Sequence, residues 1–365
     1  MPTLAAAVPS ALPVARLGAR ARPPSARPAP LPSALPRSRS RLLPARRARR
    51  SAAVPTAADS ASSGSSPARV TVIGEALWDS LPAGLFLGGA PANVACHLNE
   101  LGRDATVVSR VGDDELGREV LRRLASRGLG VDDIQVDDGS IPTGFVVVTM
   151  EGSMPSYDIV QPSAWDAMEP TDDLIAAAED AVVVYGSLAQ RDPRSRAAIR
   201  AAADAAAKRV FDINLRPPFV DPDACVEHAR DAWLLKLNDD ELPEMYAWLK
   251  LSSGEEDDEV SQDDMARSVR DALNCEMLCL TRGGDGAAVY LAGGVVHSHP
   301  GFEVDAVDTV GAGDSFLATL LDRLLDGAEA DVALERACRV GAFVATQQGA
   351  TPRHDQEGIE RLVSK

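Results

Sequence analysis

The sequence predicts an α/β protein: a doubly wound, mostly parallel sheet with helices on both faces, plus a small accessory sheet. Three observations carry that expectation. Short apolar runs alternate with helical stretches from about residue 68 to the end. Two extended, hairpin-like segments, 77–87 and 143–161, interrupt the alternation with no helix directly following. A step in charge near Asp59 sets the first 60 residues apart from the body, 68–365.

The body opens with RVTVIG (69–74), a continuous apolar run of the kind a strand buried on both faces requires. PANVACHLNEL (91–101) reads as a helix with Pro in its first turn, where a missing N–H costs nothing. A strand is expected at 105–111 and a helix at 116–127. AVVVYG (181–186), VFDIN (210–214), LLKLN (234–238) and MLCLT (277–281) are further strands. Helices are expected at 195–208, 240–250, 262–273, 314–325 and 331–347. The two interrupting segments pair most simply with each other, and Gly88-Gly89 returns the chain to the main sheet. The acidic run 255–264 reads as a solvated loop.

All 54 Asp and Glu lie at or beyond Asp59, whereas 11 of the 37 Lys and Arg precede it, so the body is far more acidic than the chain's net charge of −17. An Arg- and Ser-rich leader over 1–60, with no acid before Asp59, is the composition of a disordered organelle transit peptide. Its 11 prolines disfavour an amphipathic helix and tilt the address to the plastid stroma, with mitochondrion or cytoplasm as alternatives. The acidic body argues against nucleic-acid binding, because phosphate is repelled on average. No run reaches the roughly 18 apolar residues of a membrane helix, so no membrane partner is expected. Cys96, Cys225, Cys275, Cys279 and Cys338 are odd in number and scattered, and read as small buried groups.

The chemistry concentrates at Asp308-Thr309-Val310-Gly311-Ala312-Gly313-Asp314-Ser315-Phe316. Three small residues permit a tight turn close to a ligand, and an apolar helix follows at once. Amides at such a helix start, aided by the helix dipole, form an anion site. Asp314, at the same turn, can accept a proton from an attacking hydroxyl. Anion cradle and base together are what phosphoryl transfer needs. Taken alone, the turn is equally a plain helix start capped by Asp314.

The nine-residue segment resembles the C-terminal signature of the PfkB, or ribokinase-like, family of carbohydrate kinases, and Gly88-Gly89-Ala90-Pro91-Ala92-Asn93-Val94-Ala95 resembles its N-terminal signature. The resemblance runs from Arg69 to about Pro352 and implies the ribokinase-like fold, with a β-sheet lid over a sugar. It implies Asp314 as base, with Gly311, Ala312 and Gly313 as the anion hole. Asp79 ends a stretch similar to the family's first strand, which makes it a sugar-hydroxyl ligand with Gly88, Gly89 and Asn93. Residue by residue, Asp79 is otherwise a solvated turn residue and Asn93 a helix-surface amide.

Asn238 and Glu241 match the N-x-x-E motif, in which Glu241 acts on Mg²⁺ through water. Thr281, Gly283 and Gly286 match T-x-G-x-x-G, where the backbone approaches ATP, and Arg282 offers a cation there. Arg216, in Asp212-Ile213-Asn214-Leu215-Arg216, is similar to a fructokinase-like position and is available to a phosphate or sugar oxygen. Asp308 and the Val310 carbonyl match a monovalent-cation site, potassium being the implied ion, although Arg353 stands where some relatives carry a small Ser.

The expected ligands are therefore a sugar, ATP and Mg²⁺, with K⁺ as an addition. Residues 74–79, 157–166 and 212–216 resemble fructokinases most, which implies fructose going to fructose 6-phosphate. The alternatives are a kinase for another sugar, a sugar acid or a nucleoside, and a non-catalytic fructokinase-like plastid protein. A homodimer through the lid is a further expectation, since an exposed sheet edge invites pairing.

Overall fold

The computed structural model describes residues 68–81, 84–151, 154–251 and 260–365. The expected transit peptide and residues 255–259 of the acidic run lie outside the described residues. Strand β1 (Val70–Ile73) opens the body, followed by the hairpin β2 (Leu77–Leu81) and β3 (Gly84–Gly88). Next come α1 (Ala90–Glu100), β4 (Ala105–Val111), α2 (Glu115–Ser126) and β5 (Ile134–Val136). The second excursion is the hairpin β6 (Gly144–Glu151) and β7 (Met154–Ile159). The chain then alternates through α3 (Asp172–Ala178), β8 (Val182–Gly186), α4 (Pro193–Ala205), β9 (Lys208–Asp212), α5 (Pro222–Ala229) and β10 (Leu234–Asn238). Helices α6 (Glu241–Trp248) and α7 (Gln262–Leu273) precede β11 (Met277–Thr281), β12 (Ala287–Leu291) and β13 (Val296–His299). Helices α8 (Ala312–Leu325), α9 (Ala330–Ala345) and α10 (Gln356–Glu360) close it.

Nine strands form the main sheet in the order β13-β12-β11-β10-β9-β8-β1-β4-β5. Neighbours from β5 through to β11 are parallel, and at the other edge β12 pairs antiparallel with both β11 and β13. Every β1 residue is buried, because the strand is covered on both sides. Val70 and Val72 face the layer of α1, α8 and α9, while Ile73 faces the opposite layer. Tyr185 and Val184 of β8 split the same way. Each such fully buried aliphatic side chain contributes roughly 1.5–3 kcal/mol.

The two excursions pair as expected: β2 lies parallel to β6, giving a separate four-stranded sheet, β3-β2-β6-β7. Asp114, the N-cap of α2, ties that sheet to the body: it accepts the Gly117 amide at 2.7 Å and the Thr143 amide at 2.8 Å. All five cysteines are buried free thiols, as expected from their scatter. No described helix is long and apolar enough to cross a membrane.

The differences are local. Helix α4 stops at Ala205, three residues early, because Ala206 turns extended and Lys208 joins β9. Asn214, expected in that strand, lies beyond it at φ +38°. Strands β5, β12 and β13 and helices α3 and α5 are short, and lacked a periodic signal strong enough to read.

Candidate active site

Helix α8 begins at Ala312, two residues before the expected start at 314, so Ala312 and Gly313 form its first residues. Gly311 is left-handed at φ +79°, and a Cβ on it would lie 2.2 Å from the Ala350 carbonyl oxygen, so only glycine fits. Asp314 sits in the first turn. The amide of Ala312 is bonded to the Thr309 carbonyl at 3.2 Å, so it is not part of an open cradle, contrary to expectation. The amides of Gly311, Gly313 and Asp314 have no acceptor among the described residues. These three amides are therefore the ones the turn leaves open to a ligand.

Asn93 is a buried residue of α1, not a helix-surface amide, and its Nδ2 donates to Asp314 Oδ2 at 2.9 Å. That bond holds the carboxylate with one oxygen engaged. No described residue bonds the Asn93 Oδ1. Burial pushes Asp314 up to about 6; Asp212 adds to the rise, while Asn93, Lys236 and Arg216 oppose it. A carboxylate of that pKa is a better base than an ordinary aspartate and is still ionised near neutrality.

Asp79 stands on β2 opposite Phe86 of β3. Gly88 backs it so closely that a Cβ there would lie 1.9 Å from Asp79 Oδ2. Gly89, at φ +99°, passes equally close to the Glu75 carbonyl, 2.3 Å from a would-be Cβ. Burial and the Asp314 charge raise Asp79 to about 6, and burial chiefly raises Glu75 to about 7. The Arg216 charge offsets part of the rise at Glu75, Asp79 and Asp314 alike. Among the described residues the guanidinium hydrogen-bonds only the Leu215 carbonyl, at 2.9 Å.

Behind the turn lies an ion pair that sequence reasoning missed: Lys236 Nζ to both oxygens of Asp212 at 2.9 Å, both residues 6% exposed. Burial alone would lower the Lys236 pKa, but Asp212 and Glu241 outweigh it and the net shift is upward. The signal was present, since a Lys interrupts the apolar run Leu234-Leu235-Lys236-Leu237. Glu75 was missed too; it is 5% exposed and its Oε2 has no partner among the described residues.

A cavity of about 580 Å³ adjoins the turn, within the range of small-molecule sites. Asn238, Thr281, Gly283 and Gly286, the expected nucleotide contacts, all line it, together with Gly313 and Phe316. The expected role of Arg282 needs correction. Its guanidinium is taken up by Gln262 at 2.6 Å, Tyr290 at 3.0 Å and Asp263 at 3.2 Å. Asn238 and Glu241 cap α6 reciprocally: Asn238 Oδ1 accepts the Glu241 amide at 2.8 Å, and Glu241 Oε2 accepts the Asn238 amide at 2.9 Å. Glu241 Oε1 takes the Leu215 amide at 2.7 Å. Glu241 is therefore a buried brace between two loops, with only its remaining lone pairs free for a hydrated cation. Asp308 braces similarly, accepting the amides of Val310 and Gly349, both at 3.0 Å. Arg353 is drawn off to Glu100 at 2.8 Å.

A mostly parallel α/β sheet with a small separate sheet, a helix start with unpaired amides and a buried carboxylate together define a class. The chain belongs to the pfkB family of carbohydrate kinases, whose pattern it matches over residues 83–356. Among curated proteins it is 31% identical to probable fructokinase-5 of Arabidopsis thaliana, an alignment covering 73% of this chain and 84% of that one. It is 32% identical to a fructokinase of Solanum tuberosum, covering 73% and 82%. Among solved structures, a Vibrio cholerae fructokinase bound to fructose, ADP and calcium superposes with TM-score 0.69 at 24% identity, covering 80% of this chain and 98% of that one. Aminoimidazole riboside kinase from Salmonella enterica superposes with TM-score 0.66 at 25% identity, covering 80% and 98%.

Proposed function

We propose that the protein transfers the γ-phosphoryl group of ATP to a hydroxyl of fructose, giving fructose 6-phosphate. The observation that carries this is the pairing of Asp314 with free amides at Gly311, Gly313 and Asp314 itself, at the end of the nucleotide-sized cavity. The plant relatives favour fructose. In the proposed mechanism the sugar lies under the lid sheet against Asp79 and the Asn93 Oδ1, and the lid excludes water. Asp314 takes the hydroxyl proton while the turn amides and Arg216 hold the moving phosphoryl group.

Among the described residues no cluster of three acidic, His or Cys side chains could hold a metal ion. Mg²⁺ would be held with the nucleotide by Glu241 through water, and it would supply charge neutralisation at the phosphates. A potassium ion at Asp308 and the Val310 carbonyl is the corresponding proposal for the loop below the turn. Pairing of two lids through the β3 edge is supported by Leu85, which is 44% exposed there. The plastid stroma as compartment rests on the composition of residues 1–60 alone, and imaging a fluorescent fusion of the full chain tests it.

A riboside or other nucleoside acceptor is the second reading, favoured by the Salmonella neighbour. Turnover of purified protein with ATP and Mg²⁺ across fructose, other hexoses, sugar acids and ribosides separates the readings. Fructose is expected to give the highest kcat/KM. A riboside preferred over fructose would replace the proposal, and no turnover on any acceptor would favour a non-catalytic partner protein.

A further inference from the structure

Two histidines that the mechanism does not use lie directly behind the phosphate-binding turn. His97, 1% exposed, follows Asn93 by one turn on α1. Its Nε2 is 2.9 Å from the Ala350 carbonyl oxygen, and its Nδ1 is 3.0 Å from His354 Nε2. A carbonyl only accepts, so His97 Nε2 carries the proton. Nδ1 of a neutral ring then only accepts, so His354 donates from its Nε2. In the neutral ring His354 Nδ1 is then bare, and it is a buried atom with no partner among the described residues. Burial supports the neutral form by pushing His97 down to about 4.

The Ala350 carbonyl is the atom that Gly311 packs against, and Asp308 fixes the neighbouring Gly349 amide at 3.0 Å. Helix α1 therefore reaches the site twice. Asn93 holds the base, and His97 holds the backbone segment on which the anion turn rests. We infer that His97, backed by His354, is a positioning residue that sets the phosphate-binding turn against Asp314. This rests on reading the site as a kinase centre.

The test compares His97→Leu with His97→Gln in the full chain. The Gln amide nitrogen stands where Nε2 stood and can still donate to Ala350. His97→Leu is expected to lower kcat by between about tenfold and a hundredfold, the cost of misplacing reacting groups by about an ångström, with the sugar KM within about twofold of the parent. His97→Gln is expected to recover most of that loss. A kcat for His97→Leu within about twofold of the parent, or His97→Gln as impaired as His97→Leu, overturns the inference. Long-range ¹H–¹⁵N spectra of the unmutated protein give an independent readout that survives if the variants misfold. Both His97 and His354 should appear as neutral Nε2–H tautomers, and an Nδ1–H tautomer at His97 refutes the clamp. Absence of turnover in the parent would bring down the kinase reading, whereas a wrong tautomer brings down only the clamp.

Discussion

Replacing Lys236 by Met leaves the Asp212 carboxylate, 6% exposed, with its ammonium partner gone. Breaking one side of a buried pair costs roughly 3–5 kcal/mol, because the remaining charge is uncompensated. At about 2–4 °C per kcal/mol for domains of 150–250 residues, and somewhat less for this larger body, melting should fall by on the order of 5–15 °C at neutral pH. Removing Asp212 as well, as Lys236→Met/Asp212→Asn, should restore much of the loss, since no buried charge then stands alone. The catalytic effect is separate. Lys236 helps hold Asp314 down, so its loss should move the acidic limb of the pH–rate profile to higher pH. The assay is thermal melting beside kcat measured from pH 5 to 9. An unchanged melting point, or a double variant no better than the single one, would refute the ion-pair argument. An unmoved limb would refute its link to Asp314.

Further outcomes follow from the same geometry. Gly311→Ala should cost about 1–2 kcal/mol for a left-handed alanine, plus the clash with the Ala350 carbonyl, and should depress kcat strongly; unaltered kinetics would show that the turn tolerates a side chain. Gly88→Ala pushes on the Asp79 carboxylate, so the sugar KM should rise at least tenfold with the ATP KM nearly unchanged; equal rises would contradict the assignment of Asp79. Asp314 and Asp79 both titrate near 6, so kcat/KM should fall below that pH with a slope between one and two and flatten above it. The stability sign is opposite. Carboxyl groups with raised folded pKa values bind more protons folded than unfolded, so their contribution falls as pH rises from about 4 to 7.

Much of this was legible because the strongest constraints are local. Gly311 must be glycine, since the chain turns left-handed against Ala350, and Gly88 must be glycine beside Asp79. Such requirements leave short motifs in the sequence. The pairing of segments 77–87 and 143–161 was legible because both broke a regular alternation. What was missed depends on contacts between distant residues. Lys236 sits in an apolar strand, and only the fold reveals Asp212 on the neighbouring strand as the reason. Arg282 was expected at the phosphates because it adjoins a glycine-rich turn, yet Gln262, Asp263 and Tyr290 claim it from α7 and β12. His97 carries no signal beyond being a polar residue on the buried side of α1.

The central claim is that Asp314 removes a proton while the turn binds the phosphoryl group. Asp314→Asn preserves shape and the packing beside Asn93 but removes the base. Single-turnover phosphoryl transfer from ATP, measured beside calorimetric ATP binding, tests it directly. The account predicts a loss of at least about a hundredfold in transfer, at the low end of the contribution of general base catalysis, with ATP affinity within about threefold of the parent. Transfer within tenfold of the parent would contradict it.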